Sequence, residues 1–462
     1  MQTISRRTVL AGGAAAIAAP AIGARAATSD VDVVIVGAGA AGIAAARRLA
    51  AAKLRFVVVE ATDHIGGRCV TDTKTFDVPF DRGAHWIHRP QNNELVKLAE
   101  GSNLRIYPAP RAEKLRVPPR RARENEVEDF LTALVRSNRA IVEAGRGRTD
   151  TPAALALPRD LGEWKDTVDF VLGPYSTGKR LADVSAVDYA RAPERGGDVF
   201  CREGYGTLLA RLGAGLPVQI SQPVKRIAWG GPLSVDTGAN TFRARAIIIT
   251  TSTGVLSSDA ITFDPPLPGN YREAFNALSL GHLEQIALEI PGNPFGLDND
   301  DLIYEKATGP STGALLANVS GTPLCMVSVG GPLARDLAQE GQSAMTAFAL
   351  QWLDRVFGSG SRDKVKRIAT ARWSADPFVR GAFSAAAPGR ADARRTLIAP
   401  LRDRVWFAGE ASHETLWGTV NGAWESGNRA AEGALRLIGN IKDDKREPEP
   451  KRRTPRRRRD GN

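Results

Sequence analysis

The sequence predicts an α/β protein, in which a domain with a parallel sheet is interleaved with a second, α+β domain of mixed sheet plus helices. Three observations lead to this prediction: a strand–turn–helix–strand pattern near the start, strand-like runs in the middle, and a strand followed by a long helix near the end. A chain of 462 residues also exceeds the size of one ordinary hydrophobic core. Two domains are therefore expected.

The first pattern is a β-α-β unit. Residues 31–36 are almost entirely apolar, as in a buried strand, and a glycine-rich turn follows them directly. The next helix is built largely of alanine, and residues 55–60 form a second apolar run that ends in an acidic residue. Such a unit predicts two parallel strands with the helix packed against them.

The remaining elements follow from the same periodicities. Residues 127, 130, 131 and 134 place apolar side chains at helical spacing within an Arg-, Pro- and Ala-rich stretch at 101–195. Helices are also expected over 343–357 and 422–438. Strands are expected over 218–220, 224–229, 246–251, 283–290 and 404–409.

The turn of the first unit has the spacing of a dinucleotide-binding motif. Gly37 permits the tight turn, Gly39 lets the backbone approach a pyrophosphate, and Gly42 lets helix and strand pack closely. The helix N-terminus that follows favours phosphate. Glu60, at the end of the second strand, accepts hydrogen bonds from ribose hydroxyls and disfavours a 2′-phosphate.

A second glycine pair follows the β-α-β unit. Gly66 and Gly67 permit another close backbone approach, and Arg68 adds a cation for the pyrophosphate or the flavin side. With this segment the chain resembles the flavin-containing amine oxidases, the family of monoamine and polyamine oxidases. The resemblance covers most of residues 30–440, and its other motifs lie at 81–88, 204–206, 254–256, 263–268, 407–410 and 418–431.

The resemblance implies a Rossmann-like FAD-binding domain made of residues 27–100, 196–262 and 396–441, and a substrate-binding domain made of 101–195 and 263–395. Ala382 stands where some relatives carry the cysteine that bonds the flavin, so non-covalent FAD is expected. A helix starting near 419–422 would direct its positive end at the N1–C2=O edge of the flavin. The further cofactor-binding candidates are Ala40, Ala41, Gly67, Arg68, Val224, Trp373, Gly409, Glu410, Thr419 and Val420.

The resemblance also locates the substrate side. Phe383 corresponds to one wall of the aromatic slot that guides the amine, whereas Thr419 replaces the tyrosine of the other wall, beside Trp417. Gln285 replaces the lysine that holds a water near flavin N5, so its amide can hold a water but carries no charge. Trp86 stands where amino-acid oxidases place an arginine, which favours an amine without a carboxylate.

His88 is the candidate proton acceptor. In the spermine-type branch of the family, a histidine at this point lies in the active site. A neutral imidazole can take the proton of the substrate ammonium, which must be lost before hydride leaves the α-carbon.

The ends of the chain carry much of its charge. The net charge is +11, of which residues 1–26 supply +3 and residues 442–462 supply +5, so the core is not basic enough to indicate a nucleic-acid binder. Paired arginines, a short apolar stretch and an A-x-A site within 1–26 predict a twin-arginine signal peptide and a periplasmic protein. Residues 442–462 are expected to be a basic disordered tail, and no membrane span or metal site is expected. The cysteines are expected to be buried or incidental thiols (Cys69, Cys201, Cys325).

The sequence therefore predicts an exported FAD-dependent amine oxidase, with O2 or another electron acceptor. Two alternatives remain open at this point: another flavin reaction, such as amino-acid oxidation or desaturation, and a non-catalytic FAD-binding protein. The amine and the oligomeric state are open as well.

Overall fold

A computed structural model describes residues 27–110, 113–192 and 197–439. The predicted signal peptide at 1–26 and the predicted tail at 442–462 lie outside the described residues. Within the described ranges, no helix is both long and apolar enough to cross a bilayer.

The strands, in chain order, are β1 (Ala27–Asp30), β2 (Val33–Val36), β3 (Phe56–Val59), β4 (Thr71–Asp72), β5 (Phe80–Asp81), β6 (Ile106–Pro108), β7 (Glu113–Val117), β8 (Arg120–Arg121), β9 (Val199–Cys201), β10 (Val218–Gln219), β11 (Arg226–Ala228), β12 (Leu233–Asp236), β13 (Asn240–Ala244), β14 (Ala246–Ile249), β15 (Thr262–Asp264), β16 (Leu283–Glu289), β17 (Asp301–Glu305), β18 (Ala314–Ala317), β19 (Leu324–Gly330), β20 (Arg367–Thr370) and β21 (Val405–Phe407).

The α-helices, in chain order, are α1 (Ala40–Ala51), α2 (Glu94–Gly101), α3 (Glu124–Gly145), α4 (Lys165–Phe170), α5 (Ala186–Arg191), α6 (Tyr205–Gly213), α7 (Thr253–Leu256), α8 (Gly269–Ala277), α9 (Gly331–Glu340), α10 (Gln342–Phe357), α11 (Ala393–Ile398) and α12 (Val420–Ile438).

A parallel sheet forms the centre of the first layer. Its order is β10–β3–β2–β14–β21, and every neighbouring pair is parallel. β2 and β14 are fully buried, because α1 and α12 pack on one face of this sheet and α8 with strands β11–β13 packs on the other. Burial on both faces explains their uninterrupted apolar sequences. Its strands come from the three segments predicted for the cofactor domain, although the exact domain bounds remain a prediction.

Two helices of small residues pack closely against each other on this sheet. A Cβ at Gly427 of α12 would lie 2.1 Å from the carbonyl oxygen of Ala41 in α1. Only a glycine allows this approach, so the first and last parts of the fold depend on each other. The side of α12 that packs here contains Gly427, Ala430, Ala431 and Leu435, which are all buried.

A mixed sheet forms the second layer, with the order β20–β16–β19–β18–β17–β7–β8. Only β17 and β7 pair in parallel among these strands. One face packs on α9 and α10, with Ile286, Ile303 and Trp352 in one cluster. The other face contributes Leu302 and Tyr304 to a second cluster with α3. The predicted α/β class with a mixed second sheet is confirmed.

A further sheet, β1–β13–β12–β11–β15, flanks the first layer. The helix predicted from residues 127, 130, 131 and 134 is present as α3, but Leu131 is 39% exposed. The buried stripe of α3 instead runs through Phe130, Ala133 and Ile141. The three cysteines are buried and free, as expected.

Candidate active site

The carboxyl ends of the parallel strands border one large cavity. Gly37 follows β2, Glu60 follows β3, Thr250 follows β14, and Gly409 lies two residues after β21; all four line the cavity. The cavity has a volume of about 1110 Å³, slightly above the range of about 300–1,000 Å³ that is usual for small-ligand sites. Ligands of open α/β sheets bind at this edge.

The turn after β2 is conformationally demanding. Gly37 has φ +103°, and a Cβ there would lie 2.5 Å from Oγ1 of Thr250. A Cβ at Gly42 would lie 1.9 Å from the carbonyl oxygen of Gly37. Gly42 does not line the cavity. It allows α1 to pack closely against the turn at Gly37, which is the role expected of it from the sequence.

The second glycine pair approaches the first. Gly39 and Gly66 form a parallel β-bridge, and a Cβ at Gly67 would lie 3.2 Å from Cα of Gly39. α1 begins directly after Gly39 without a side-chain cap. Its first N–H groups therefore face a cleft narrow enough for an extended anion, and the N-terminal residues Ala40 and Ala41 line the cavity.

Glu60 is held rigidly at the end of β3. Its Oε2 accepts a hydrogen bond from the backbone N–H of Ala38 at 2.7 Å, and Oε1 accepts from Thr62 N and Oγ1, both at 2.9 Å. The side chain is 8% exposed. These donors fix a carboxylate that still has acceptor capacity toward the cavity.

An ion pair between the partly buried Arg68 and the buried Glu410 joins the two ends of the chain. Nη1 of Arg68 donates to Oε1 of Glu410 at 3.0 Å and to the carbonyl oxygen of Ala382 at 2.6 Å. Glu410 also accepts from Ser384 N, Ser384 Oγ and Gly418 N. Burial raises the pKa of the Glu410 carboxyl, but Arg68 and the hydrogen bonds outweigh it and leave the pKa lowered. Glu410 is therefore an anion that organises Arg68 and the loop before α12.

The N-terminus of α12 lies at the cavity, as predicted. Thr419 is its N-cap: Oγ1 accepts from Gly422 N at 2.9 Å and donates to the carbonyl oxygen of Leu416 at 2.7 Å. Thr419 and Val420 both line the cavity. The Thr419 hydroxyl thus serves the cap, while the helix directs its positive end toward the cavity.

The aromatic candidates form adjoining walls. A Cβ at Gly418, which has φ +68°, would lie 3.2 Å from the ring of Phe383. Trp417 is 2% exposed, and its indole N–H donates to the carbonyl oxygen of Asp188 at 3.2 Å. Trp373 donates its indole N–H to Arg82 O at 2.8 Å and lines the same cavity.

Two polar side chains lie among these walls, each with a neighbour that the sequence reasoning missed. Gln285 on β16 is in register with Ser328 on β19, and Ser328 Oγ donates to Oε1 of Gln285 at 2.9 Å. This bond leaves the amide NH2 of Gln285 as the group that can donate toward the cavity. Nδ1 of His88 lies 2.8 Å from Oδ2 of Asp198, and both residues line the cavity.

Every predicted site residue except Gly42 lines this one cavity, including Val224 beyond the end of β10. Sequence reasoning missed Tyr175, Tyr189 and Tyr304, which line its far end. Tyr304 lies on β17, a strand that is buried at every position and therefore shows no period-2 pattern. The other two lie in a π-helical turn and a six-residue helix, which give no sequence signal.

Comparison with known proteins decides the family. The model of the flavin containing amine oxidoreductases matches residues 184–435, and an NAD(P)-binding Rossmann-like domain matches residues 35–100. This chain belongs to the flavin-containing amine oxidoreductase family. It is an FAD-dependent oxidoreductase of that family, and the Rossmann-like fold expected for its first domain is confirmed.

Relatives of this amine oxidoreductase include two functional groups. It is 26% identical to polyamine oxidase 2 of Arabidopsis thaliana, over 89% of each chain. It is also 26% identical to lysine-specific histone demethylase 2 of Homo sapiens, over 87% of this chain but only 53% of the relative. A putrescine oxidase structure matches with a TM-score of 0.74 and 20% identity, over 88% of this chain and 100% of the other. Cyclohexylamine oxidase from Brevibacterium oxydans matches equally well, with a TM-score of 0.74 and 20% identity, over 89% and 100%.

The residues present fit FAD. A side chain at Gly37 would clash with Thr250, and one at Gly67 would crowd Gly39. Glu60 presents a fixed carboxylate, and the N-terminus of α12 lies across the same cavity. A dinucleotide that extends from the end of β3 to α12 accounts for all of these features together.

Proposed function

We propose that this protein oxidises a primary or secondary amine, mono- or polyamine, to an imine that hydrolyses to an aldehyde or ketone. When bound, FAD would supply the hydride acceptor at N5, and the electrons would go on to O2, giving H2O2, or to another acceptor. The observation that supports the proposal most is the continuity of the cavity. The glycine cradle and the walls that hold Phe383, Trp417 and Gln285 border one space.

The charges around the cavity favour an amine over an amino acid. Among the described residues that line it, the lysine and arginine side chains are Arg68, Lys225 and Arg380. Arg68 is paired with Glu410. Lys225 adjoins Val224 and Arg380 adjoins the loop after β14, so both belong to the nucleotide half. A substrate carboxylate at the aromatic end would have no lysine or arginine partner among them.

We propose that His88 accepts the proton of the substrate ammonium. The hydrogen bond between His88 Nδ1 and Asp198 fixes the tautomer that leaves Nε2 as the acceptor. The backbone beside it is fixed as well, because Ile87 and Val199 form an antiparallel bridge and Asn93 donates to His88 O at 3.0 Å. Proton removal then leaves a neutral amine, from which hydride transfer is possible.

We propose that Gln285 holds a water between the amine and the cofactor. Because glutamine carries no charge, the site lacks the cation that would favour reduction of O2, and slow reoxidation by O2 is expected. An acceptor such as a quinone or a protein then competes with oxygen.

The proposal is tested by mixing FAD-loaded protein anaerobically with a panel of mono-, di- and polyamines and of amino acids. Loss of flavin absorbance with at least one amine is expected. Reduction by amino acids alone would favour the other flavin reaction, and reduction by neither would favour a non-catalytic flavoprotein. His88→Ala provides the second readout: an unchanged pH profile of reduction would remove His88 from the mechanism.

We also propose that the protein is exported to the periplasm by the twin-arginine route. The support is the sequence of residues 1–26, in particular Arg6 and Arg7. Replacing both by lysine is expected to retain the protein in the cytoplasm on cell fractionation. Export unaffected by this change would contradict the route.

A further inference from the structure

A buried ion pair lies behind the aromatic wall of the cavity. Arg394 on α11 and Asp188 on α5 are both 0% exposed, and Nε and Nη2 of Arg394 donate to the two carboxylate oxygens of Asp188, each at 2.7 Å. Neither residue lines the cavity. A fully buried pair of this kind usually stabilises a fold no more than well-packed apolar residues would. Stability alone therefore gives a weak reason for its presence.

The pair contacts the wall residue Trp417 in two ways. The guanidinium of Arg394 lies over the indole, 5.1 Å from the ring centroid, and the indole N–H donates to the carbonyl oxygen of Asp188 at 3.2 Å. The first contact fixes the plane of the ring, and the second fixes its rotation within that plane. Together they leave Trp417 one orientation against the cavity.

The same guanidinium reaches the ion pair at the cofactor side. Nη1 of Arg394 donates to Ser384 Oγ at 3.0 Å, and Ser384 Oγ donates to Oε2 of Glu410 at 2.7 Å. Glu410 in turn binds Arg68. A continuous chain of hydrogen bonds thus extends from Asp188 through Arg394, Ser384 and Glu410 to Arg68 at the cavity edge. The segment that carries Phe383 is also held, because Asp188 accepts the backbone N–H of Ala386 at 2.8 Å.

We infer that Asp188 and Arg394 are positioning residues that hold Trp417 against the cavity and thereby set the selectivity of the enzyme among amines of different bulk. The inference rests on the proposed amine oxidation. A wall displaced by about 1 Å costs up to about a hundredfold in rate, and the loss depends on how closely the substrate fills the slot. Bulky amines therefore lose more than small ones when the pair is altered.

The test uses Arg394→Lys, which keeps the charge but loses both the planar fork and the stacking on Trp417. The quantity measured is the ratio of kcat/KM for phenethylamine to that for propylamine, in FAD-loaded protein. We expect Arg394→Lys to change this ratio by about tenfold or more. In a Trp417→Leu background the same substitution is expected to change it by less than about twofold, because the aromatic ring through which Arg394 acts is gone.

The matched control is Glu305→Gln. Glu305 is also buried, also accepts an indole N–H, from Trp352 at 2.6 Å, and also pairs with an arginine, Arg355 at 2.7 Å, but it does not line the cavity. If a general loss of stability altered the ratio of kcat/KM values, Glu305→Gln would alter it as Arg394→Lys does. We expect the ratio in Glu305→Gln to stay within about twofold of the wild type.

A second readout does not depend on turnover. The circular dichroism of bound FAD in the visible range reports the asymmetry of its surroundings, and Arg394→Lys is expected to change it while Glu305→Gln leaves it unchanged. If Arg394→Lys does not fold, the neutral double variant Asp188→Asn/Arg394→Gln replaces it. Folded, FAD-loaded protein with an unchanged ratio and an unchanged spectrum would overturn the inference. Wild-type protein that no amine reduces would instead overturn the proposed function, and the spectrum alone would then decide the role of the pair.

Discussion

The substitution Glu410→Gln removes one charge from the junction between the two ends of the chain. The carboxylate accepts from Arg68 and Ser384 N through one oxygen, and from Ser384 Oγ and Gly418 N through the other. Glutamine has a single acceptor oxygen, so one of these two sets of donors must face an NH2 group. Arg68 also loses its anionic partner in either orientation.

The loss of stability in Glu410→Gln can be estimated from these contacts. Hydrogen bonds to a charged group contribute about 1.5–3 kcal/mol each, and breaking a buried ion pair by removal of one partner costs about 3–5 kcal/mol. Glu410 is 5% exposed, whereas the Arg68 side chain is 26% exposed, so solvent screens part of the ion pair and the lower end of this range applies to it. We therefore expect Glu410→Gln to lower the free energy of unfolding by about 3–5 kcal/mol at neutral pH, and to weaken FAD binding because Arg68 and the N-terminus of α12 are released.

The assay is urea unfolding of FAD-loaded protein, followed by intrinsic fluorescence, together with titration of apoprotein with FAD. Because the pKa of Glu410 is lowered in the fold, its stabilisation is present above the unfolded pKa of about 4.3 and is lost as the pH falls through the lower folded value. The difference between variant and wild type should therefore shrink in acid. A decrease of less than about 1 kcal/mol in the free energy of unfolding, with unchanged FAD affinity, would contradict this role of Glu410. Glu305→Gln is the control, because it is expected to lower stability without weakening FAD binding.

Further predictions concern the cradle, the pH dependence, the oxygen reaction and the cofactor linkage. Gly67→Ala should weaken FAD binding by about tenfold, because Gly67 has φ +59° and an added Cβ would lie 3.2 Å from Cα of Gly39. The control Gly101→Ala, where a Cβ meets open space, should leave FAD affinity unchanged. Equal affinities of the two variants in a fluorescence titration would contradict this. Burial raises the pKa of Glu284 to about 7 despite two backbone N–H donors, so its stabilisation is present below the unfolded pKa and lost as the pH rises through about 7. Between pH 5 and 8 the free energy of unfolding of the wild type should fall relative to that of Glu284→Gln by on the order of 3 kcal/mol. Equal pH dependence of the two unfolding free energies would argue against a raised pKa of Glu284. Gln285→Lys supplies the missing cation and should accelerate reoxidation by O2 in stopped flow by about tenfold, an effect that a site unrelated to the flavin would not show. Acid precipitation should release FAD into the supernatant, and a coloured pellet would indicate a covalent bond.

Much of the fold could be predicted because its strongest signals are local. β2, the turn at Gly37 and the helix α1 follow one another within a few residues, and each has a pattern of its own. The long helix α12 was recognisable from its small residues for the same reason. Leu131 was expected on the buried side of α3 but is exposed. Periodicity alone does not define how wide the apolar stripe of a helix is, and tertiary packing decides which residues at its margin are buried.

Only those site residues that belong to a recognisable sequence motif could be predicted. Glu60 and Arg68 have fixed spacings from the glycine turn, so sequence reasoning could find them. Ser328 and Asp198 could not be found, because they meet Gln285 and His88 through strand pairing across distant parts of the chain. Arg394 was hidden for a further reason: a buried arginine is rare, and nothing in its local sequence separates it from a surface one.

The central claim is that FAD in this cavity takes electrons from an amine. Its most direct test is the absorbance of the bound flavin after anaerobic mixing of the loaded protein with each amine of the panel. We expect complete bleaching by at least one amine, at a rate that His88→Ala lowers, and no bleaching by amino acids. A flavin that stays oxidised with every amine would contradict it.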